Sequence, residues 1–408
     1  MAIIVQKFGG TSVRGREQRE QAAQWVKKAV AQGYQPVVVV SAMGRYGDPY
    51  ATDTLLSLLA NLPSAPGGEQ DLLLSCGEII SAVIMAGHLR EAGLRPQVFT
   101  GAQAGIHTDT THGDAQIVKL DPSLLQEAIQ QHRIPVVAGF QGVSPLGEVT
   151  TLGRGGSDTT AVALGAALGA EVVEIFTDVD GIKTADPRIV PNARTIRELD
   201  YEEVFQLANL GAKVIHPRAV EMARQFSVPL RVRSTFSPDP GTLVAPGRRA
   251  MDPWAHRDPD RAVTGITQMA QLIQFHVDPP AESQPDWVYR LFDDLGQSGV
   301  SVDLINLFPE TVYFCVATPM RDATEQVLDR LGYPYRVFDD RAKVSIVGSA
   351  IQGLPGVVGR VMAALTHEGI PILQSADSHA TITLLLHKSD MERAVRALHR
   401  QFGLEAES

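Results

Sequence analysis

The sequence predicts an α/β protein in which a mostly parallel sheet lies between helices, followed by a tandem pair of small ferredoxin-like units. Three observations carry this. Strand-like and helix-like runs alternate over residues 1–244, a proline- and charge-rich stretch without apolar period fills 245–262, and the remainder matches itself when shifted by 70 positions. Strands alternating with helices indicate a parallel sheet covered on both faces. A repeat of that length indicates duplicated supersecondary units.

The strands of the first part are "IIVQKF" (3–8), "PVVVVSA" (36–42), "PQVFTG" (96–101), "IPVVAGF" (134–140), "EVVEIFTD" (171–178) and "PLRVRST" (229–235). Helix-period runs such as "EQREQAAQWVKKAVAQG" and "SCGEIISAVIMAGHLREAG" separate most of them. Ligands of such sheets gather at the C-terminal strand ends. Here those ends carry Gly9, Gly10, Ser41, Gly139, Thr177 and Asp178. Residues 245–262, "APGRRAMDPWAHRDPDRA", read as a linker. In the repeat, Val288 meets Val358, Leu291 meets Val361, Leu295 meets Leu365 and Gly299 meets Gly369. Each copy, 263–336 and 337–408, reads β-α-β-β-α, with helices on one face of an antiparallel sheet. Units this small bury limited cores, so mutual packing or dimerisation through them is expected.

At 408 residues, 44% apolar and 20% charged, the chain has ordinary globular composition and enough length for two or three domains. A net charge of -10 argues against a general nucleic-acid or membrane-surface binder, which needs a basic face. Cys76 and Cys315 are far apart, in no metal spacing, and are expected as buried thiols. The N-terminal apolar run is too short for a signal peptide and no run of 18 apolar residues occurs, so a cytoplasmic location is expected.

Four stretches offer chemistry. "VQKFGGTSV" puts Lys7 at a strand end before Gly9, Gly10, Thr11 and Ser12. Glycine amides and a mobile lysine suit a phosphate, although a tight turn with a solvated lysine reads equally well. Neither G-x-x-x-x-G-K-[ST] nor G-x-G-x-x-G occurs, which leaves no dinucleotide fingerprint. In "GRGGSD", Gly153, Gly155 and Gly156 form a flexible turn, Ser157 or Asp158 can cap the next helix, and Leu164 and Leu168 share its buried face. Capping leaves Arg154 unexplained. A guanidinium at a positive helix N-terminus suggests a carboxylate or phosphate between them, the alternative being a surface arginine. "FTDVDGIKTADPR" supplies Thr177, Asp178, Asp180, Lys183, Asp186 and Arg188 after a strand, or else forms an acidic turn. "GAKVIHPRA" sets Lys213 and His216 before a helix beginning at Pro217, and "LSCGEIIS" sets Glu78 at a helix start, where it can also serve as a dipole partner.

Taken in order, K-F-G-G-T-S (7–12), V-V-S-A-M (39–43), C-G-E (76–78), T-L-G-R-G-G-S-D-T-T (151–160), F-T-D-V-D-G (176–181), A-D-P-R (185–188) and G-A-K-V-I-H-P-R-A (211–219) closely resemble the aspartokinase family. The resemblance spans essentially the whole chain, the repeat resembling the family's tandem ACT regulatory domains. It implies the amino acid kinase fold and phosphorylation of the β-carboxylate of L-aspartate by ATP with Mg2+, with no protein metal ligands. By the same resemblance Lys7 neutralises the transferring phosphoryl with Gly9, Gly10 and Ser12, and Asp158 orients Lys7. Arg154 takes the substrate α-carboxylate and Glu78 its ammonium. Ser41, Thr52, Gly155, Gly156 and Ser157 line that pocket. Thr177, Asp178, Lys183, Arg188 and Lys213 hold ATP. Lys183 stands where many relatives carry tyrosine, and the loop "RYGDPYATD" before Thr52 is longer than usual. "GDPYATD" and "PILQSADSHATI" resemble the diaminopimelate-sensitive branch, with lysine and threonine as alternative effectors. Effector contacts are expected at Ser301, Val302, Asp303, Ser375, Asp377 and Ser378, in a homodimer or higher assembly joined through ACT domains. Another acceptor, or an amino-acid sensor with an inert kinase half, are the competing readings.

Overall fold

The valine run of the second strand explains the layering of the first unit. All six residues from Gln35 to Val40 are buried, as a strand covered on both faces requires. The computed structural model describes residues 1–60, 65–212, 214–246, 263–280, 286–348, 351 and 354–405. They divide into two compact units, and short segments near 183–194 and 210–212 group with the second. From position 247 onward the expected linker lies outside the described residues.

The first unit begins with β1 (Ile3–Phe8), α1 (Gly10–Val13), α2 (Arg16–Ala31), β2 (Gln35–Val40), α3 (Thr52–Ser57), α4 (Gly67–Glu91), β3 (Pro96–Phe99), β4 (Ile106–Thr108) and β5 (Ile117–Leu120). It continues with α5 (Ser123–Gln130), β6 (Ile134–Ala138), β7 (Gln141–Val143), β8 (Val149–Thr151), α6 (Gly156–Leu168) and β9 (Val172–Thr177). It closes with β10 (Glu198–Leu199), α7 (Tyr201–Asn209), α8 (Pro217–Phe226), β11 (Leu230–Ser234) and β12 (Thr242–Val244). An eight-stranded sheet runs β10-β12-β11-β9-β1-β2-β6-β3, parallel except between β11 and β12.

Helices α2 and α4 pack on one face through Val26, Met85 and Leu89 against Phe8, Val38 and Val136. Helix α6 covers β1 and β9 on the other face, with Leu164 and Leu168 buried as their spacing predicts. A small sheet, β5-β4-β7-β8, was not expected from the sequence. Its strands are three or four residues long, too short for an alternation to register.

One sequence expectation is corrected. Cys76 is exposed on α4, although Cys315 is buried as expected. Helix α4 is long and apolar enough by composition to cross a membrane, yet half of that stretch is buried within its unit.

The second unit is built from β13 (Gly265–Val277), α9 (Trp287–Gln297), β14 (Asp303–Phe308), β15 (Thr311–Ala317), α10 (Arg321–Leu331), β16 (Tyr335–Val347), α11 (Val357–His367), β17 (Gln374–Asp377), β18 (Thr381–His387) and α12 (Met391–Gln401). The 70-residue shift superposes α9 on α11, β15 on β18 and α10 on α12 end for end. The six strands form one antiparallel sheet, β14-β15-β13-β16-β18-β17. Leu291, Leu295, Phe314 and Leu328 fill the first core and Val361, Leu365, Leu384 and Leu398 the second. The second core also takes Ala185, Ile189, Val190 and Ala193, so the stretch after β9 folds into this unit.

Candidate active site

Strand alternation gives the site its first member. Ile4, Gln6 and Phe8 point toward α2, so Lys7 points toward α6, where its ammonium meets the Asp158 carboxylate at 2.6 Å. Both side chains are only 11% exposed, which makes each the other's main compensation for lost water. Asp158 lies in the first turn of α6, whose N-cap is Gly155 with no side-chain cap. The expected capping by Ser157 or Asp158 is therefore replaced by an ion pair across to β1.

Past β1 the chain meets the loop after β2 at close range. A Cβ on Gly10 would lie 2.6 Å from the Gly44 carbonyl and 2.8 Å from that of Ala42, so only glycine fits. Ser41 is half-buried, its N–H donating to the Phe8 carbonyl at 3.1 Å. The Gly9 N–H donates to the Phe176 carbonyl at 3.2 Å. Ser12 is fully buried, donates to the same carbonyl at 3.4 Å and accepts from the Thr235 hydroxyl at 2.7 Å. The expected contact of Ser12 with nucleotide is corrected accordingly: its hydroxyl ties β1 to β9 and the segment after β11.

Glu78 sits in the middle of α4, not at a helix start, which removes the dipole reading. Gly77 lets the helix approach, since a Cβ there would come within 2.9 Å of both Ala42 Cβ and the Tyr50 carbonyl. One Glu78 oxygen accepts from the Ala42 N–H at 2.9 Å, and the other has no hydrogen-bond partner among the described residues. The residue is 2% exposed. Burial pushes its carboxyl up to about 8, offset in part by the Ala42 N–H and the Lys7 charge.

The turn 151–158 is braced from three sides. Asp71, buried on α4, accepts from the Thr151 N–H (3.1 Å) and hydroxyl (2.5 Å), the Gly113 N–H (3.1 Å) and His112 Nδ1 (2.9 Å). The Arg218 guanidinium donates to the Leu152 carbonyl (2.8 Å) and to Asp114 (3.0 Å). His216 accepts from the Arg218 N–H at 3.4 Å, capping α8, and lies against Gly155. A Cβ on Gly155 would be 2.2 Å from the His216 ring, and its φ of +73° is left-handed, so this position needs glycine twice over. Burial lowers the His216 pKa, while the Asp158 charge acts in the opposite sense. Phe140, which accepts the Leu152 N–H at 2.8 Å, holds a φ of +71° that a bulky residue seldom adopts. The Thr160 hydroxyl accepts its N–H at 3.1 Å and secures it.

At the head of α6, Ser157 and Gly156 are buried and Arg154 is exposed, with no ion-pair partner among the described residues. Thr52 opens α3 and is half-buried. Thr177 and Asp178 end β9, and Asp178 pairs with Arg45 at 2.7 Å. Lys183 and Arg188 fall in the second unit, where Arg188 forms a pair with Asp186 at 2.7 Å. Lys213 lies outside the described residues. Asp303 opens β14 and pairs with the buried Lys343. Ser301 is exposed and Val302 half-buried, while Ser375, Asp377 and Ser378 are exposed at β17. Asp71 and Arg218 were missed by sequence reasoning: an acid in "EQDLLL" and an arginine after a proline have no local signature.

Comparison with known proteins identifies the family. The amino acid kinase family profile matches residues 2–234, and an ACT domain profile matches 337–400. Aspartokinase 1 of Bacillus subtilis (strain 168) is 48% identical over 408 residues, covering 99% of this chain and 100% of that protein. Aspartokinase of Geobacillus stearothermophilus is 42% identical over 415 residues, covering 100% and 99%. The crystal structure of E. coli aspartokinase III in complex with aspartate and ADP (R-state) is 25% identical, covers 98% of this chain and 99% of its own, and superposes with a TM-score of 0.79. With an amino acid kinase domain followed by an ACT domain, the chain belongs to the aspartokinase family and is an aspartate kinase.

Proposed function

We propose that the chain transfers the γ-phosphoryl group of ATP to the β-carboxylate of L-aspartate, giving 4-phospho-L-aspartate and ADP. One observation carries this most directly: the buried Lys7–Asp158 pair shares its site with a buried carboxyl, Glu78, that keeps one oxygen unpartnered. A carboxylate nucleophile is already ionised at neutral pH, so no general base is required. Positioning and charge neutralisation are then the whole of catalysis.

In this reading Lys7, oriented by Asp158, neutralises charge on the moving phosphoryl group. Arg154 takes the α-carboxylate and Glu78 the α-ammonium, with Ser41, Thr52, Gly155, Gly156 and Ser157 shaping the pocket. Gly10, Thr177, Asp178, Lys183, Arg188 and Lys213 take the nucleotide. Gly9 and Ser12 support it through their bonds to β9. Asp158 and Asp178 are already paired with Lys7 and Arg45, so the donor set suits Mg2+ carried on the phosphates better than a protein cage. Mg2+ arriving with the nucleotide would supply charge neutralisation on the phosphates.

The ACT region would impose feedback by an amino acid, meso-diaminopimelate first and lysine or threonine otherwise, through Ser301, Val302, Asp303, Ser375, Asp377 and Ser378. The reaction would open the lysine/diaminopimelate, threonine and methionine pathway in the cytoplasm, in a homodimer or higher assembly joined by ACT domains. Hydroxylamine trapping of the acyl phosphate tests this, with ATP, Mg2+ and aspartate and each effector in turn. Hydroxamate that disappears in Lys7→Ala supports the reading. A folded, ATP-binding protein that makes none with aspartate would overturn it, as undiminished turnover in Lys7→Ala would overturn the role of that lysine. A monomer in size-exclusion light scattering would sink the assembly.

A further inference from the structure

A second polar cavity, of about 350 Å3, lies within the first unit between α2 and the strands β1, β9, β11 and β12. Its lining takes Ile4 and Gln6 of β1, Val172 and Glu174 of β9 and Arg231 and Arg233 of β11, and not Lys7, Phe176 or Thr177 at the strand ends. None of the residues placed at the catalytic site lines it.

Its charges are unevenly committed. Glu174 is buried and accepts from Gln6 at 2.9 Å and from Arg233 at 3.1 Å. Glu171 accepts from the Tyr34 hydroxyl at 3.1 Å. Glu174 is thus neutralised by Arg233, while Glu171 keeps its charge at the exposed rim. Lys28 and Arg231 are cations of the same lining, and neither has a carboxylate partner among the described residues. Arg231 donates only over a long 3.4 Å to the Pro240 carbonyl. Beneath this lining, Gln6 Oε1 and Arg233 Nε are buried without hydrogen-bond partners among the described residues, and Gln6 is 1% exposed. Two cations without carboxylate partners in the lining of one concavity raise its potential and concentrate anions there.

We infer that this cavity is a binding site for a small metabolite dianion, a dicarboxylate or a phosphate, held between Lys28 and Arg231. The indole of Trp25 reports on it directly: Lys28 Nζ stands 4.7 Å and Arg233 Cζ 4.0 Å from the ring. The same indole donates to the Thr235 carbonyl at 3.0 Å and packs on Phe176, with ring centroids 5.4 Å apart. Thr235 in turn bonds Ser12 at 2.7 Å and the Thr177 carbonyl at 3.0 Å. An anion in the cavity therefore touches the strand ends of the catalytic site through one aromatic ring. The inference holds whatever acceptor the enzyme phosphorylates.

The test uses the full-length protein labelled with 5-fluorotryptophan. Its three tryptophans give three fluorine resonances, of which Trp25→Phe assigns one. Inorganic phosphate and malonate are titrated separately, with ionic strength held constant by chloride. The expected result is a saturable shift of the Trp25 resonance whose midpoint weakens tenfold or more in Arg231→Gln and in Lys28→Gln, with turnover in the absence of added anion unchanged. Which probe saturates first tells carboxylate from phosphate. No saturable shift with either probe, or an unchanged midpoint in Arg231→Gln, would overturn the site. So would loss of the shift in Lys7→Ala alone, which would place the anion at the catalytic turn. A Trp25 resonance that moves with protein concentration instead would mean that a second copy covers the cavity.

Discussion

The environment of Glu78 makes a quantitative prediction about pH. With its carboxyl pushed up to about 8, the unliganded enzyme carries Glu78 ionised in about one molecule in ten at pH 7 and one in a hundred at pH 6. A substrate ammonium pairs only with the carboxylate. The aspartate KM is therefore expected to fall about tenfold from pH 6 to 7, several-fold more by pH 8, and then to level off. Binding at pH 7 should release close to one proton, measurable by calorimetry in buffers of different ionisation enthalpy. Glu78→Gln should remove both effects and raise KM at pH 8 about a hundredfold, the cost of one buried charge-assisted hydrogen bond. A KM flat between pH 6 and 8 in the parent protein, or the same slope in Glu78→Gln, would refute the reasoning.

The stability sign follows from the same group. Between the usual 4.5 and about 8 the folded chain keeps a proton that the unfolded chain has lost, so this contribution is complete below 4.5 and fades as pH rises toward 8. Its ceiling is roughly 5 kcal/mol, from about 1.4 kcal/mol per pK unit. Chemical denaturation of Glu78→Gln across that range should show a flatter profile than the parent.

Further outcomes are expected. Arg154→Lys should raise the aspartate KM about tenfold or more while leaving kcat within a few-fold, because an ammonium cannot grip a carboxylate through two parallel bonds; unchanged KM would detach Arg154 from substrate. Gly155→Ala should lose most activity and several degrees of Tm, since its Cβ meets the His216 ring at 2.2 Å; a fully active, equally stable variant would contradict the geometry. Asp71→Asn should weaken aspartate binding several-fold without touching ATP affinity, because it loosens the turn that presents Arg154; equal losses for both ligands would point to general destabilisation. Asp303→Asn should raise the inhibitory concentration of diaminopimelate about tenfold or more with uninhibited turnover preserved; unchanged inhibition would move the effector elsewhere.

The sequence by itself determined what depends on local period and on backbone chemistry. The valine run of 37–40 read as a buried parallel strand, the 70-residue shift read as paired β-α-β-β-α units, and the glycines of 153–156 read as a flexible turn before a helix. The arginine at a helix N-terminus was legible too, because the conflict of two positive charges is written within a few residues. Tertiary structure decided the rest. Glu78 read as a helix-start residue until α4 extended to Gly67, since the helical period continues through "GGEQDLLLSC" without a stop signal. Its raised pKa exists only because Gly77 lets the helix close on the loop at 42–50 and exclude water. Ser12 looked like a phosphate ligand, but burial turned it into a bridge between strand ends. Lys183 and Arg188 looked like neighbours of Thr177, yet Ala185, Ile189 and Val190 carry that segment into the core of the second unit. Asp71, Arg218 and His216 converge on one turn from three elements far apart in the chain. Period and turn chemistry are properties of neighbours in sequence, whereas desolvation and pairing belong to neighbours in space.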